Sequence, residues 1–481
     1  MPTILGANSV SGYEISNSLR FNNIDDPHLE TGNFSTASNR RTFTISTWVK
    51  RGQIVDDRTI IGYGSANNPR GLFFFGGNTL RFTCNVAGNA TKEVETSALF
   101  RDPAAWYHVM AVIDTTQGTD TNRFKIYANG ELQDIASSTL PDQNYETGYG
   151  NDGNGNGLFV GRYGNGANDA YHFDGYMADF NYVDGLALDP SYFGETDDNG
   201  VWIPKKPDVS DYGTNGFFLE FKQTGTGTNA SGMGADTSGK GNHLGPVNLA
   251  ARDITEDTPT NNFATLNSVD HRVEDAIITE GNCKLVGSNG NDGAAVSTIG
   301  VTKGKWYAEF IFFNDHKSRV GIIDQTGHDT NGNNVNDGVH YDFTGGYIYS
   351  TLNGSGNDTG NNSTSGGYDV TDGSEGDILG VALDADNEKV LFTLNGTTLG
   401  QEGQGYTNLQ RTGTGETYFF HVRDGSGSGS DEPSIGCNFG NPFPAFSISS
   451  GNADANGYGN FEYAPPSGFF ALCTKNLAEY G

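Results

Sequence analysis

One loop of the sequence has oxygen-bearing side chains at alternate positions. Asp329, Asn331, Asn333 and Asp337 stand at positions 1, 3, 5 and 9, and Val335 would offer its backbone carbonyl at position 7, which is the ligand pattern of acidic calcium loops. Only two of the four side chains are charged, so the sequence predicts a calcium site of modest affinity. A polar surface loop that binds no metal is the alternative.

Calcium that binds only the folded chain would raise the melting temperature. We therefore expect the thermal unfolding curve in calcium to lie at a higher temperature than the curve in chelator. Coincident curves would contradict the predicted calcium site.

A second candidate is a saccharide site. Tyr149, Tyr163 and Tyr171 offer aromatic rings, and Asp152 and Asn154 offer planar polar groups in the same stretch of chain. The apolar C–H faces of sugars stack on aromatic rings, while their hydroxyls bond to carboxylates and amides. Core packing is the alternative for each ring, because aromatic residues of β-sandwiches mostly lie inside.

The sequence has no recognisable catalytic set. Glycoside hydrolysis needs two closely spaced carboxyl groups, but Glu93 and Glu95 have no third carboxylate in register, and Asp384, Asp386 and Glu388 span a hairpin turn, where such residues bond the local backbone. We find no GxSxG or HExxH motif, and the four cysteines have neither metal-ligand nor protease spacing. We therefore expect no enzyme activity. We also expect all four cysteines to be buried free thiols, and a single disulfide is the alternative.

The candidate calcium loop and the candidate saccharide site would be held in place by short strands that end in turn residues. The chain is rich in Gly (69), Phe (30) and Tyr (22), a composition typical of an all-β protein. Two hairpins, residues 106–128 and residues 378–394, have the same form, because an Asn-Gly pair follows each second strand and favours a type I′ turn. The pattern predicts two tandem jelly-roll-like β-sandwiches.

The strands resemble known families. TFTISTWVKRG, AAWYHVMAVID, FKIYANGEL and YHFDGYMADFNYVDGLALDPSYFGE are similar to laminin-G-like, concanavalin A-like domains, in the form common in structural proteins of marine tailed bacteriophages. GKWYAEF, GDILGVALDADNEKVLFTLNG and YAPPSGFFALCTKNL resemble a SPRY-like sandwich, and DTSGKGNHLGPVN and DTPTNNFATLN resemble the connector of the same phage proteins. Fold likeness by itself does not establish function.

The strand pattern and the resemblance together predict four segments. Residues 1–15 are an N-terminal segment that could anchor the chain in a virion, and residues 16–196 are the laminin-G-like sandwich. Residues 197–265 are a Gly/Thr/Asn-rich, partly ordered connector, and residues 266–476 are the SPRY-like sandwich.

Composition limits the partners. Asp and Glu number 58 against 28 Lys and Arg, giving a formal net charge of −30, which would repel nucleic acid. The first residues do not form a signal peptide, and no run of 18 apolar residues suggests membrane insertion. We expect a chain made in the host cytoplasm and located in the virion, with other virion proteins and further copies of itself as partners.

Three functions are open at this point. The first is a non-enzymatic phage virion surface protein, a fibre or adhesin component that binds a host-surface glycan or protein. The second is a purely structural capsid-decoration or fibre-connector protein. The third is a secreted bacterial lectin, against which the missing signal peptide counts.

Overall fold

The structure is a computed structural model that divides into two compact units, unit 1 (Met1–Asn261) and unit 2 (Asn262–Gly481). It describes residues 12–32, 39–54, 57–64, 70–86, 90–149, 157–164, 171–269, 276–287, 293–324, 338–350, 368–399, 406–408, 417–424 and 432–481. The predicted all-β fold of two sandwiches is confirmed.

Unit 1 consists of short antiparallel strands. In chain order these are β1 Ser18–Phe21, β2 His28–Glu30, β3 Thr42–Arg51, β4 Arg58–Gly64, β5 Arg70–Gly76, β6 Thr79–Asn85, β7 Lys92–Thr96, β8 Trp106–Asp114, β9 Phe124–Ala128, β10 Glu131–Leu132, β11 Ile135–Thr139, β12 Leu158–Val160, β13 Gly175–Asp184, β14 Gly194–Thr196, β15 Trp202–Pro204, β16 Phe217–Leu219, β17 Gly245–Val247 and β18 Ile254–Thr255. Single 3-10 turns span Asn23–Asp25, Asp120–Asn122, Pro190–Tyr192 and Ala251–Asp253.

Two sheets form the sandwich of unit 1. Sheet A has the order β10-β9-β8-β3-β13-β1-β18, with β16 also paired to β13, and sheet B has the order β11-β7-β6-β5-β4-β12-β2-β17. Alternation in β3 places Phe43, Ile45 and Val49 in the core between the sheets, while Trp48 lies on the outer face of sheet A. Asn129 and Gly130 both have positive φ (48° and 80°), which confirms the predicted tight turn after β9.

The structure differs from the predicted connector. Within residues 197–265, β16 pairs with β13, β17 with β2 and β18 with β1, so these strands complete both sheets of unit 1. Phe217 and Leu244 are fully buried in the core of unit 1. The turn-rich composition favours a linker, but each short strand is stabilised by a partner distant in sequence.

The predicted anchor is only partly described. Residues 1–11 lie outside the described residues, whereas Tyr13 and Ile15 contact unit 1. Ile15 is buried against Trp48 and Ala178, and its carbonyl accepts a hydrogen bond from Thr260 Oγ1 (2.9 Å). Ile15 therefore belongs to the packing of the first sandwich.

Unit 2 has its own strands. These are β19 Ala276–Thr279, β20 Lys284–Gly287, β21 Ala294–Val296, β22 Lys305–Phe312, β23 Ser318–Asp324, β24 Gly338–Asp342, β25 Tyr347–Ser350, β26 Tyr368–Asp369, β27 Ile378–Asp384, β28 Lys389–Leu394, β29 Thr397–Thr398, β30 Tyr406–Asn408, β31 Tyr418–Asp424, β32 Ser434–Asn438 and β33 Phe470–Ala471, followed by helix α1 Thr474–Tyr480.

Unit 2 is also a two-sheet sandwich. Sheet C has the order β19-β20-β32-β22-β27-β28-β29, with β33 on β22 and β30 on β28, and sheet D has the order β21-β31-β23-β24-β25-β26. Trp306 and Phe310 of sheet C share one core cluster with Val320 and Phe420 of sheet D. All four cysteines of the chain are free and buried, as predicted.

Candidate functional site

A groove of unit 1 has a cavity volume of about 460 Å³. The N-terminal segment and the chain that follows β15 form its walls. Its lining residues are Gly12, Tyr13, Glu195, Lys205, Lys206, Pro207 and Asp208.

The hairpin of β14 and β15 positions one wall of the groove. Glu195 lies opposite Ile203, and Thr196 lies opposite Trp202. Gly194 is required here, because a Cβ at this position would lie 2.4 Å from Cζ2 of Trp202. Beyond β15, Asp208 N–H donates to the Tyr192 carbonyl (3.0 Å), which holds the lysine-containing stretch beside the hairpin.

Tyr13 forms the opposite wall. Its hydroxyl donates to Asp179 Oδ2 (2.8 Å), and Asp179 lies in β13 with a positive φ of 45°, where the register with β3 is irregular. Burial raises the pKa of Asp179 to about 7. The contact places a tyrosine ring at the groove, and a nearly buried carboxyl group fixes its position.

Three half-buried aromatic residues lie at this side of unit 1. Tyr13, Trp106 and Trp202 all pack against the small buried cluster of Ile15, Trp48 and Ala178. Of these three aromatic residues, Tyr13 lines the groove, whereas Trp106 and Trp202 are not among its lining residues.

Both indole N–H groups are used internally. Trp202 Nε1 donates to His108 Nδ1 (3.1 Å) and Trp106 Nε1 donates to Asp257 Oδ1 (3.1 Å). Burial lowers the pKa of His108 to about 3, so its ring is neutral and can accept this hydrogen bond. The accessible parts of the two indoles are therefore apolar ring surface, and the Trp202 ring is stacked on His108 with centroids 5.8 Å apart.

Charged groups at the groove are available for a ligand. Glu195, Lys206 and Asp208 are exposed, and within the described part of the chain their side chains have no hydrogen-bond partner. Lys205 Nζ donates to the Ser191 carbonyl (3.1 Å). Polar side chains beside partly exposed rings are the combination that orients a small polar ligand.

The structure separates the predicted saccharide residues. Tyr149 is a core residue, not a surface platform: it has no exposed surface, and its ring lies 4.6 Å from Tyr63, 5.0 Å from Phe43 and 5.6 Å from Phe82, measured between ring centroids. Its ring therefore presents no face to solvent.

Two of the predicted residues lie together. The rings of Tyr163 and Tyr171 meet edge to face with centroids 5.8 Å apart, and they pack on Leu72 and Phe74 of β5. Tyr163 is buried and Tyr171 is half-buried, so Tyr171 offers the more accessible ring. Asp152 and Asn154 lie outside the described residues.

The predicted calcium loop, Asp329 to Asp337 with Asn331, Asn333 and Val335, also lies outside the described residues. In the described part, no group of three or more His, Cys, Asp or Glu side chains could hold a metal ion. Among these residues, too, no helix has the length and hydropathy to cross a membrane.

The paired carboxylates have structural contacts. Partial burial raises the pKa of Glu95, but hydrogen bonds from Thr79 and Ser137 and the charge of Arg81 lower it by more. The pKa of Glu95 therefore lies below its ordinary value. A glycosidase acid needs the opposite shift. Asp384 pairs with Lys305 (2.9 Å), and Asp386 accepts the Gly304 N–H (2.9 Å).

Sequence reasoning missed the groove. Alternation along β8 places Trp106 with His108 and Met110 on the outer face of sheet A. This two-residue alternation is visible in the sequence and could have predicted the outward position of Trp106. Nothing in the local sequence places Tyr13 beside the β14–β15 hairpin.

The family comparison agrees with the fold of unit 1. Residues 23–190 match the laminin G family model described as the concanavalin A-like lectin/glucanases superfamily. No curated protein matches the chain.

Several solved structures are similar to the chain. The SPRY domain of human HERC1 is 17% identical, with 36% of this chain and 94% of that chain covered and a TM-score of 0.26. Domains LG4-5 of the mouse laminin alpha1 chain are 10% identical, with 94% of this chain and 88% of that structure covered and a TM-score of 0.30. CBM40 of the Ruminococcus gnavus IT-sialidase, bound to α2,3-sialyllactose, is 14% identical, with 33% and 85% covered and a TM-score of 0.25. On the family match, unit 1 contains a laminin-G-like, concanavalin A-like domain.

Proposed function

We propose that the chain is a non-enzymatic binding protein that holds a glycan in the groove of unit 1. The observation that carries the proposal is the juxtaposition of Tyr13 with Glu195 and Asp208 in the lining of the groove. The aromatic surface would stack on the C–H faces of a sugar, and the carboxylates would accept its hydroxyl protons.

The charge of the molecule favours this ligand class. A net charge of −30 disfavours nucleic acid, whereas neutral sugars are indifferent to it. Two lysines in the same groove give hydrogen-bond donors beside the acceptors, so a hydroxyl can be bonded through both its oxygen and its hydrogen.

The proposal excludes catalysis at the paired carboxylates. Arg81 holds Glu95 in its ionised form, and Lys305 and Asn387 bind Asp384. Neither carboxylate is kept protonated, so neither is suited to act as a general acid.

We place this binding protein on a phage virion, as a fibre or adhesin component. The support is the resemblance of the strand sequences to virion structural proteins. A capsid-decoration protein or fibre connector is the alternative, and antibody labelling of purified particles distinguishes a tail from a capsid position. The Asp329–Asp337 loop stays a proposed calcium site.

A glycan array tests the groove directly. Asp208→Ala removes an exposed carboxylate without breaking any hydrogen bond of its side chain among the described residues. We expect about a tenfold weaker binding of the glycan that the wild-type chain selects, because a charged hydrogen bond to a ligand contributes about 1.5 kcal/mol or more.

Asp198→Ala is the matched control. Asp198 is exposed in the turn between β14 and β15 and does not line the groove. The Asp198→Ala variant has the same change in charge as Asp208→Ala, but the change lies outside the groove. Its array profile should therefore equal that of the wild type. Equal profiles for both variants, or no glycan bound by the wild type, would remove the support for the groove.

A further inference from the structure

A β-bulge places Asp179 on the outer face of sheet A. The pairing of β13 with β3 is irregular between Ala178 and Asn181, and Asp179 has a positive φ of 45°. Met177 lies in the core between the sheets, and so does Phe180. The extra residue of the bulge therefore keeps Asp179 outside the core, and bulges that aim a side chain in this way are common beside functional sites.

The N-terminal strap (residues 12–16) lies against this carboxyl group. Tyr13 is half-buried and Ile15 is buried, while the other three residues of the strap are exposed. The Tyr13 hydroxyl donates to Asp179 Oδ2 (2.8 Å), and Ile15 packs on Ala178. None of these five described residues lies in a strand, so side-chain contacts have a large part in holding the strap on sheet A.

The groups around Asp179 decide its charge. Burial is the largest influence and raises the pKa of Asp179 to about 7. The hydrogen bond from Tyr13 and the charge of Lys222 lower this pKa, whereas the charge of Glu220, which pairs with Lys222 at 2.6 Å, raises it. Tyr212 is a further titratable group that interacts with Asp179. Because the effect of burial is larger than that of the hydrogen bond, contact with the strap favours the protonated carboxyl group.

We propose that Asp179 is a positioning residue that makes the groove sensitive to pH. Its protonated form holds the strap on sheet A, and its ionised form releases the strap and with it the Tyr13 wall of the groove. The regulation of glycan binding by this switch rests on the proposed function, whereas the release of the strap does not.

The direction of the switch follows from the burial of the carboxyl group. In the released state Asp179 meets water, so its pKa returns towards the ordinary value of 3.8, from about 7 in the docked state. Between these two pH values the docked state holds a proton that the released state has lost. Docking is therefore strongest below about pH 4 and weakens as the pH rises to about 7.

Hydrogen exchange of the strap, read by mass spectrometry on the full chain without glycan, tests the switch. After correction for the intrinsic pH dependence of exchange, we expect the protection of residues 12–16 to fall more than about tenfold between about pH 5 and 7. Each pH unit in this window shifts the docking equilibrium by up to about tenfold. Above about pH 7 the protection should level off, because Asp179 is then ionised in both states.

Asp179→Asn is the decisive variant. The amide keeps an acceptor for the Tyr13 hydroxyl, tolerates the positive φ and does not titrate, so the strap should stay protected throughout. Asp198→Asn, which removes an exposed carboxylate outside the groove, should follow the wild type. Slow exchange of β8 shows that each variant is folded. A wild-type strap with constant protection, or an Asp179→Asn strap that loses protection as the wild type does, would overturn the proposal.

Glycan affinity measured over the same pH range tests the link to the groove. The affinity for the array-selected glycan should fall with rising pH in the wild type and stay constant in Asp179→Asn. A constant affinity in the wild type while the strap is released would show that the strap does not regulate the groove. If the chain binds no glycan, the proposed function fails, and hydrogen exchange alone still decides whether Asp179 releases the strap.

Discussion

Asp257→Ala is expected to destabilise unit 1 by about 3–5 kcal/mol, the cost of removing one partner of a buried ion pair. Asp257 Oδ2 lies 2.8 Å from Lys50 Nζ, and the side chains are 0% and 1% exposed. The substitution would leave the ammonium of Lys50 buried without this carboxylate. It would also remove the acceptor of the Trp106 indole N–H.

Urea unfolding followed by tryptophan emission measures this effect. Asp211→Ala is the control, because Asp211 pairs with Lys240 at 2.6 Å but its side chain is 65% exposed. The control should lose little stability, because solvent screens exposed ion pairs. Equal losses in both variants would show that residues 254–260 are a linker and not part of the sandwich.

Glu309→Ala is expected to destabilise unit 2 by about 2–5 kcal/mol, because buried donors without acceptors cost about 1–3 kcal/mol each. Glu309 is fully buried on β22, and its two oxygens accept the backbone N–H groups of Glu462 (2.8 Å) and Tyr463 (2.7 Å). These bonds tie the segment after β32 to sheet C. Alanine would leave both donors without an acceptor.

Glu309 also gives unit 2 a pH dependence. Burial raises the pKa of Glu309 to about 7 in the folded chain, from an ordinary value of 4.5. Between these two pH values the folded state holds a proton that the unfolded state has released. The contribution of Glu309 to stability is therefore present below about pH 4.5 and is lost as the pH rises to about 7.

Glu309→Gln isolates this dependence, because the amide keeps an acceptor and does not titrate. Melting temperatures of wild type and variant, measured from pH 4 to pH 8, should have a difference that changes sharply between about pH 4.5 and 7. Buried His340, whose pKa burial lowers to about 3, acts in the opposite direction but is present in both proteins. A difference constant with pH would contradict the account.

Local chemistry made part of the fold predictable. The Asn129-Gly130 and Asn395-Gly396 turns form as predicted, because only residues that tolerate positive φ suit them. The hairpins Trp106–Asp114 with Phe124–Ala128, and Ile378–Asp384 with Lys389–Leu394, also follow from alternation. These features depend on residues close together in the sequence.

Long-range packing was not predictable from the same patterns. β16 to β18 consist of two or three residues each, too short for any period, and their partners lie far away in the sequence. Tyr149 stands in a turn-rich stretch that favours a surface position, yet Phe43, Tyr63 and Phe82 enclose its ring. The pairing of β16 to β18 and the burial of Tyr149 both depend on contacts between elements that are distant in the sequence.

Glycan binding at the groove is most directly tested by a fluorescence titration of the full chain with the glycan selected by the array. The chain has four tryptophans: Trp48 and Trp306 are buried, and Trp106 and Trp202 are half-buried and pack against the same buried cluster as Tyr13. The account predicts a saturable change in tryptophan emission and weaker quenching by acrylamide, with a smaller amplitude in Trp202→Phe. A glycan that binds while emission and quenching stay unchanged would contradict it.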